Sequence, residues 1–145
     1  MDIHKLQTPT ELTAMKSLRY EVFVNEQQVD PLLESDDYDT QPTTQYIGAF
    51  INHELVGVLR LRPVASSWKL QRIAVRKKYR HLKIGTKLLH FVKVAAQNEN
   101  IDTLFLHAQT QAIEFYLKQN FKIEGNVFQE ASIDHIKVVY PLNND

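Results

Sequence analysis

The chain has 145 residues, 43% hydrophobic and 23% charged, and its 17 basic and 17 acidic side chains give a formal net charge of zero. This length suits one globular domain with its own core, so we predict a single domain over residues 1–145. The chain has no cysteine, which excludes disulfides and thiol catalysis, and no apolar run of the roughly 20 residues that span a bilayer, so we expect a cytoplasmic protein.

The first half of the chain predicts one strand, one long helix and a hairpin. Residues 2–7 form a candidate strand, and Thr8, Pro9 and Glu11 are helix-start signals for a helix that runs to about Val24. Residues 31–39 suit a short helix or an acidic loop. Two strands follow over residues 46–51 and 55–62, around a hairpin turn at residues 52–54. In the second strand, alternation predicts that Leu55 and Gly57 share one face.

The second half predicts alternating strands and helices. After a break at residues 63–67, strands are predicted over residues 68–75, 103–108, 122–128 and 133–139. A helix begins at Ile84 or Gly85, carries an apolar stripe at helical spacing and ends near Asn98, and a shorter helix covers residues 111–119. The element order β-α-(α)-β-β-β-α-β-α-β-β predicts a mixed α/β (α+β) sheet with helices on both faces.

The charges are segregated along the chain. Residues 69–93 contain nine basic side chains and no acid, whereas residues 26–39 contain six acids and no base. Within the basic stretch a strand ends at Val75, a basic turn follows, and a helix begins. A helix N-terminus presents N–H groups and a positive dipole, so this turn predicts a phosphate-bearing ligand held mainly by backbone. A basic helix start that binds nothing is the alternative.

Two motifs in this order resemble the GNAT superfamily of acetyl-CoA-dependent N-acetyltransferases. RIAV at residues 72–75 with YRHLKIG at residues 79–85 is similar to the family pattern Arg/Gln-x-x-Gly-x-Gly/Ala, and AIEFYLKQNF at residues 112–121 is similar to Ala-x-x-Phe-Tyr-x-x-x-Gly-Phe. RYEVFVNEQ at residues 19–27, LHAQ at residues 106–109 and the Phe128, Glu130 and His135 spacing resemble a bacterial branch of these acetyltransferases. The resemblance implies the GNAT fold, with a central, mostly antiparallel twisted sheet.

The chain departs from the family pattern at four positions where glycine is usual, one being His81, which follows the arginine of the phosphate turn. Lys83 stands at the first glycine of the phosphate turn, Asn120 at the glycine before Phe121, and Ser132 at a glycine near the substrate side. Glycine matters only where φ is positive or another atom passes close. Asparagine tolerates a left-handed helix end, so the change at residue 120 is mild.

The resemblance implies acetyl-CoA as cofactor. Backbone N–H groups of the turn hold its phosphates, and an N–H near Val75 stabilises the carbonyl oxygen as it gains charge. The implied cofactor-binding residues are Ile73, Ala74, Val75, Arg80, His81, Leu82, Lys83, Ile84, Gly85, Thr86, Gln109, Phe115 and Lys118.

Acetyl transfer to an amine needs an acid for the leaving thiolate and a base for the ammonium. Tyr116 matches the family tyrosine, and a phenol is protonated at neutral pH, although core packing is the simpler role for an aromatic pair. Glu130 is the first candidate for the base and His135 the second, with a water relay or a structural role as alternatives. His107 could instead be a buried, hydrogen-bonded histidine.

The acidic segment favours a small cationic amine as acceptor, although a phosphorylated amino sugar or a protein N-terminus is also compatible. The amine attacks the thioester directly, because no cysteine is present to carry an acyl group. The histidine spacing predicts no metal site, and we expect no nucleic-acid or membrane partner and a possible homodimer. The alternatives are a non-catalytic acyl-CoA-binding module and a nucleic-acid-binding domain. The implied substrate-binding residues are Arg19, Phe23, Glu26, Gln27, Asp36 and Asp39.

Overall fold

The computed structural model describes residues 1–142, which form seven strands and four α-helices. The strands are β1 (Asp2–Lys5), β2 (Gln45–Ile51), β3 (Glu54–Val64), β4 (Ser67–Val75), β5 (Thr103–Gln109), β6 (Lys122–Glu130) and β7 (Ile133–Pro141). The α-helices are α1 (Pro9–Arg19), α2 (Pro31–Glu34), α3 (Ile84–Asn98) and α4 (Ile113–Lys118). A π-helix follows α1 at Tyr20–Glu26, and 3₁₀-helices lie at Asp37–Thr40, Lys77–Leu82 and Thr110–Ala112. Among the described residues, no helix is both long and apolar enough to cross a membrane.

The predicted order of elements is confirmed, although several strands extend past the predicted bounds. β3 continues through Pro63 to Val64, where the sequence predicts a break. Its pairing with β2 ends at Leu61, opposite Gln45. Pro63 therefore lies beyond the last pair on that side, where a missing N–H breaks no bond to β2.

The strands form one sheet in the order β1-β2-β3-β4-β5-β7-β6. β1 with β2, β2 with β3, β5 with β7 and β6 with β7 are antiparallel, whereas β4 and β5 are parallel. A mixed fold with a mostly antiparallel sheet is therefore confirmed.

The chain divides into two compact units. The first unit consists of residues 1–62 and 72–91, and the second of residues 63–71 with the chain from Val92 onward. The division within β4 falls immediately before Arg72, which has a φ of 54° although it lies in a strand. The single domain remains a prediction.

In the first unit, helices pack on both faces of β3. Thr8 caps α1, as the sequence predicts, and it also exchanges hydrogen bonds with Glu11 in a capping box. Val58 packs in one hydrophobic cluster with Met15 and Leu18 of α1. The preceding residue, Gly57, points to the other face, where a Cβ atom would lie 2.7 Å from Ile84 Cγ2 at the start of α3.

The face prediction for Leu55 is wrong. Leu55 lies in the same cluster as Val58, whereas Gly57 faces α3. The register explains this, because Ala49 pairs with Gly57 but the next residue, Phe50, pairs with Leu55. The additional residue in β3 is a β-bulge, which reverses the alternation of side chains.

In the second unit, β5 and β7 supply alternating buried side chains. Leu104, Leu106 and Ala108 of β5 are buried, and so are Ile136 and Val138 of β7. Because β5 and β7 are neighbours, these rows form a common core.

Candidate functional site

The basic turn of the first unit has a backbone shape that suits an anion. A right-handed 3₁₀-helix, Lys77–Leu82, is followed by Lys83 in the left-handed conformation with φ 58° and ψ 34°, and α3 begins at Ile84. Consecutive right- and left-handed residues point their N–H groups into one concavity, which commonly binds anions. The first N–H groups of α3 lack intrahelical acceptors and add to the same positive end.

Lys83 adopts the conformation for which the family pattern has glycine. A positive φ is unfavourable for residues with a Cβ atom, by about 1–2 kcal/mol. The turn therefore keeps the glycine geometry with a lysine in it.

The arginines of the turn are held by carboxylates of the π-helix. Arg76 donates from Nη1 to Glu21 Oε1 at 2.6 Å and from Nε to the Leu55 carbonyl at 2.9 Å. Arg80 donates from Nη2 to Glu26 Oε1 at 2.9 Å, and from Nε to the carbonyl of Val75, the last residue of β4, at 3.0 Å. These pairs fix two cations beside the start of the turn.

The structure places most of the predicted cofactor residues in the first unit. Ile84 is buried against Gly57, so only its backbone is available to a ligand. Three predicted residues belong to the second unit: Gln109 ends β5 and accepts a hydrogen bond from Gln111, and Phe115 and Lys118 lie on α4. The residues of the first unit are Ile73, Ala74 and Val75 at the end of β4, and Arg80, His81, Leu82, Lys83, Ile84, Gly85 and Thr86 at the turn and the start of α3.

Tyr116 of α4 lies in an aromatic cluster of the second unit. Its ring meets Phe115 edge-on at 5.0 Å between centroids and Phe121 at 5.7 Å. Burial raises the pKa of Tyr116 to about 12, so the hydroxyl stays protonated at neutral pH. Asn120, which follows α4, has a φ of 69°, which confirms the interpretation of asparagine as a left-handed helix end.

A carboxylate joins two histidines on neighbouring strands of the second unit. His107 Nδ1 on β5 lies 2.9 Å from Glu130 Oε1, and His135 Nε2 on β7 lies 3.7 Å from Glu130 Oε2. Phe128 packs against both imidazole rings, at 5.0 Å from His107 and 6.1 Å from His135 between centroids. We call His107, Glu130 and His135 the histidine–glutamate cluster.

The acceptors around the two imidazoles define which nitrogen carries the proton. His135 Nδ1 lies 2.8 Å from the Ile133 carbonyl, which only accepts, so Nδ1 carries the hydrogen. His107 Nδ1 faces a carboxylate and carries it for the same reason. In each neutral ring Nε2 is then the basic nitrogen, able to take up a proton.

The pKa of Glu130 lies below its ordinary value. Burial raises the pKa, but the hydrogen bond from His107 and the nearby His135 and Lys69 outweigh that effect. Within residues 1–142, no group of three or more histidine, cysteine, aspartate or glutamate side chains is arranged to hold a metal ion.

The turn beside Glu130 is also left-handed. Ala131 and Ser132 have φ values of 52° and 64° and join β6 to β7 in a two-residue hairpin. Asn-Gly is the ordinary choice for such a turn. Ser132, like Lys83, thus adopts a conformation for which the family pattern has glycine.

Three of the predicted substrate residues belong to a network of ion pairs in the first unit. Its members come from α1, α2, the first 3₁₀-helix and strands β2 to β4. We call it the buried arginine network: Arg19, Glu34, Asp36, Asp39, Tyr46, Arg60 and Arg72.

Arg19 is a structural member of this network rather than a contact for substrate. Its side chain is 2% exposed. Its Nε donates to Glu34 Oε2 at 2.7 Å and its Nη2 to the Glu34 carbonyl at 2.9 Å. The remaining donors bind both oxygens of Asp39, at 2.7 and 3.1 Å, and the sulfur of Met15 at 3.6 Å. All five N–H donors of the guanidinium are therefore used inside the protein.

Asp39 and Asp36 are held in the same way. Asp39 Oδ1 accepts from Tyr46 Oη at 2.5 Å and from Arg60 Nη1 at 3.1 Å. Arg60 binds Asp36 through two hydrogen bonds of 2.7 and 2.9 Å, and Arg72 Nη2 adds a third at 3.3 Å. Asp36 keeps partial exposure, so among these acids it retains access to solvent.

The pKa of Asp39 reflects this arrangement. Burial would raise the pKa, but the hydrogen bonds from Arg19 and Tyr46 outweigh it and hold the pKa well below its ordinary value. Asp39 is therefore a permanent anion that neutralises buried cations.

The other predicted substrate residues lie on or beside the π-helix. Phe23 packs against the hydrophobic cluster of α1, Glu26 is paired with Arg80, and Gln27 is exposed at the C-terminal end. The sequence interpretation missed Arg60, Tyr46 and Glu34. A signal was present, because a run of acids so close to a helix requires cations from elsewhere in the chain.

The comparisons with known proteins cover nearly the whole chain. The family model described as an acetyltransferase (GNAT) domain matches residues 8–141. The Bacillus subtilis protein YyaT is 32% identical over 146 residues, covering 100% of this chain and 99% of that protein. A spermidine N(1)-acetyltransferase from Thermoplasma acidophilum is 33% identical over 82 residues, covering 54% of this chain and 51% of that protein. The crystal structure of an acyl-CoA N-acyltransferase from Pseudomonas aeruginosa matches with a TM-score of 0.84 and 27% identity, covering 95% of this chain and 97% of that chain.

Proposed function

The chain belongs to the GNAT acetyltransferase family, and from this premise we propose that it is an N-acetyltransferase that moves an acetyl group to the primary amine of a small molecule. The observation that carries the proposal is the left-handed Lys83 between a 3₁₀-helix and α3. This backbone shape forms a concavity that binds anions. The chain retains the shape although a lysine at this position is less stable than a glycine would be.

The cofactor of GNAT acetyltransferases is acetyl-CoA, and the residues of the turn fit it. When bound, acetyl-CoA supplies an acetyl group activated as a thioester. The concavity at Lys83 and the first N–H groups of α3 would hold its diphosphate. The Lys83 ammonium and the Arg80 guanidinium bring positive charge to the same turn. This donor set is the chemistry that a diphosphate requires.

Tyr116 and the histidine–glutamate cluster would handle the protons. With a pKa of about 12, Tyr116 keeps its proton at neutral pH and can give it to a leaving thiolate. The pKa of Glu130 is lowered, which makes its carboxylate a weak base. We therefore propose that Nε2 of a histidine in the cluster accepts the proton of the amine, with Glu130 stabilising the imidazolium.

We propose direct attack by the amine on the thioester, since the chain has no cysteine to carry the acetyl group. A small cationic amine is the favoured acceptor class. The name of the Thermoplasma relative supports this class, and Glu26 on the π-helix offers a carboxylate that is not buried. A cytoplasmic location and a homodimer remain predictions.

The proposal is tested first by cofactor binding and then by Tyr116→Phe. Acetyl-CoA at 100 times its dissociation constant should stabilise the protein by about 2.7 kcal/mol in thermal or urea unfolding. Tyr116→Phe should keep that stabilisation and lower thiol release by about 10²-fold or more, the contribution of a general acid.

Tyr140→Phe is the matched control, because Tyr140 lies 5.5 Å from Phe121 between centroids and belongs to the same aromatic cluster. Tyr140→Phe removes a hydroxyl group from this cluster and should leave turnover unchanged. No stabilisation by acetyl-CoA would overturn the cofactor assignment, and binding without turnover of any amine would favour an acyl-CoA-binding module. Equal turnover in Tyr116→Phe and wild type would remove Tyr116 from the mechanism.

A further inference from the structure

The π-helix presents two carboxylates to the basic turn, five residues apart in sequence. Glu21 pairs with Arg76 at 2.6 Å, and Glu26 pairs with Arg80 at 2.8 Å. Arg76 immediately precedes the 3₁₀-helix of the turn, and Arg80 lies within it. Two acids on one helix thus match two arginines on one loop.

The π-helical form explains this match. Gln27 N–H donates to the Val22 carbonyl at 3.1 Å, a hydrogen bond that spans five residues. In such a helix residues five apart lie one turn above another. In an α-helix with 3.6 residues per turn they would be rotated by about 140° from each other. The unusual helix therefore directs Glu21 and Glu26 to the same side.

The two pairs differ in how firmly they are held. The Arg80 side chain is 43% exposed and that of Glu26 28%, whereas Arg76 is 20% exposed. A pair this accessible to water contributes little net stability, so an arriving anion can exchange for the carboxylate. Arg80 is in the cofactor-binding set that the resemblance implies, and Glu26 is in the substrate-binding set. Arg76 and Glu21 are in neither.

We propose that Glu26 and the phosphates of the cofactor compete for Arg80, and that an anion bound there releases Glu26 to bind the cationic amine. This inference rests on the proposed function. It makes Glu26 a specificity-determining residue whose charge is masked until the cofactor arrives. By linkage, cofactor and cationic amine then raise each other's affinity by the same factor.

The masking predicts an effect of unusual sign, namely that removing Glu26 improves cofactor binding. Calorimetric titration with coenzyme A should give an affinity about two- to fivefold higher for Glu26→Gln than for wild type, the range expected when an exposed ion pair no longer competes. Glu21→Gln is the matched control, because it removes the same charge from the same side of the π-helix and should change the affinity less. In an Arg80→Gln background, Glu26→Gln should have no effect.

The amine side is tested by thiol release with 1,4-diaminobutane and butylamine, which differ by one cation. Wild type should prefer the diamine in kcat/KM, Glu26→Gln should lose the preference, and Glu21→Gln should keep it. The two variants retain the length of the side chain at an exposed position, so equal urea midpoints check that both fold.

The outcomes separate this inference from the proposed function. If wild type binds no coenzyme A, the proposed function fails and the ion-pair exchange fails with it. If coenzyme A binds but Glu26→Gln and Glu21→Gln shift its affinity equally, or Glu26→Gln weakens it, the exchange alone is overturned. A wild type without a preference for the diamine, or a Glu26→Gln variant that keeps one, would overturn the amine-binding role of Glu26.

Discussion

The buried arginine network and the basic turn both contain arginine–carboxylate ion pairs, which are buried in the network and exposed to solvent in the turn. Both lie in the first unit and both pair arginine with carboxylates. Arg19 and Arg60 are 2% and 0% exposed, whereas Arg80 is 43% exposed. Breaking a buried pair leaves an uncompensated charge, but an exposed pair has water as an alternative partner. The first arrangement therefore fixes the fold, and the second can be exchanged for a ligand.

The network satisfies its acids with backbone as well as arginine. Asp36 N–H donates to Asp39 Oδ2 at 3.1 Å, and Tyr38 N–H donates to Asp36 Oδ1 at 3.1 Å. The first bond belongs to the capping box that Asp36 and Asp39 form at the start of the 3₁₀-helix Asp37–Thr40, and the second is a further cap of the same helix. A buried ion pair is stable only when its remaining lone pairs are also satisfied. Glu34, Asp36 and Asp39 are thus folded around the arginines, whereas Asp30 and Asp37 of the same segment are exposed.

The largest expected difference between the two regions concerns stability. Arg19→Met should lower the free energy of unfolding by about 3–5 kcal/mol, because Glu34 and Asp39 lose their partner inside the protein. Arg80→Met should lower it by less than about 1 kcal/mol. Urea denaturation of both variants at the same pH measures the difference, and similar losses for the two would contradict it.

A second test uses pH. The pKa of Asp39 is held well below its ordinary value, so the stability that it contributes is fully present above the unfolded-state pKa of about 3.9 and declines as pH falls below it. The decline is at most about 1.4 kcal/mol per pH unit for one carboxyl group. The free energy of unfolding of wild type should therefore exceed that of Asp39→Asn by about 1 kcal/mol less at pH 3 than at pH 5.

Urea midpoints of both proteins across that range give the comparison. Glu130 also has a lowered pKa and titrates in both proteins, so it cancels in the comparison. Asp36 shares Arg60 with Asp39, so the difference between the proteins reports Asp39 together with its effect on Asp36. A constant difference from pH 5 to pH 3 would mean that the buried partners do not lower the pKa of Asp39.

The sequence predicted the basic turn more completely than the network, for a physical reason. A helix start and the strand before it are local, so Val75 and Ile84 could be placed from periodicity and turn residues alone. The network joins Arg19, Asp39 and Arg60 across three elements, and pairing at such sequence distances is set by the sheet. The histidine–glutamate cluster likewise depends on the register of β5, β6 and β7.

Local sequence patterns also failed to predict two departures from regular geometry. The bulge of β3 moves Leu55 to the face of α1, and the π-helix turns Glu21 and Glu26 to one side. The π-helix contains no glycine or proline. Gly57 does flank the bulge, but a glycine in a strand does not by itself fix where the extra residue lies. Three of the four replaced family glycines show the converse, because Lys83, Asn120 and Ser132 keep the left-handed backbone, whereas His81 does not.

The smallest expected effect tests the strain stored in the basic turn. Lys83→Gly should raise the free energy of unfolding by about 0.5–1 kcal/mol, since relief of a left-handed residue worth about 1–2 kcal/mol is partly offset by the greater freedom of glycine in the unfolded chain. Lys87→Gly, within α3, is the control and should lower it by about 1 kcal/mol. Urea denaturation distinguishes the two signs.

Coenzyme A affinity in the same variant separates backbone from side chain. If the concavity holds the phosphates mainly through N–H groups, Lys83→Gly should weaken binding by no more than about fivefold, the range of one exposed charge. A far larger loss would show that the ammonium of Lys83 is the main contact. The basic turn would then depend on a specific charged side chain, as the buried arginine network does. The two regions would differ only in how deeply their charged groups are buried.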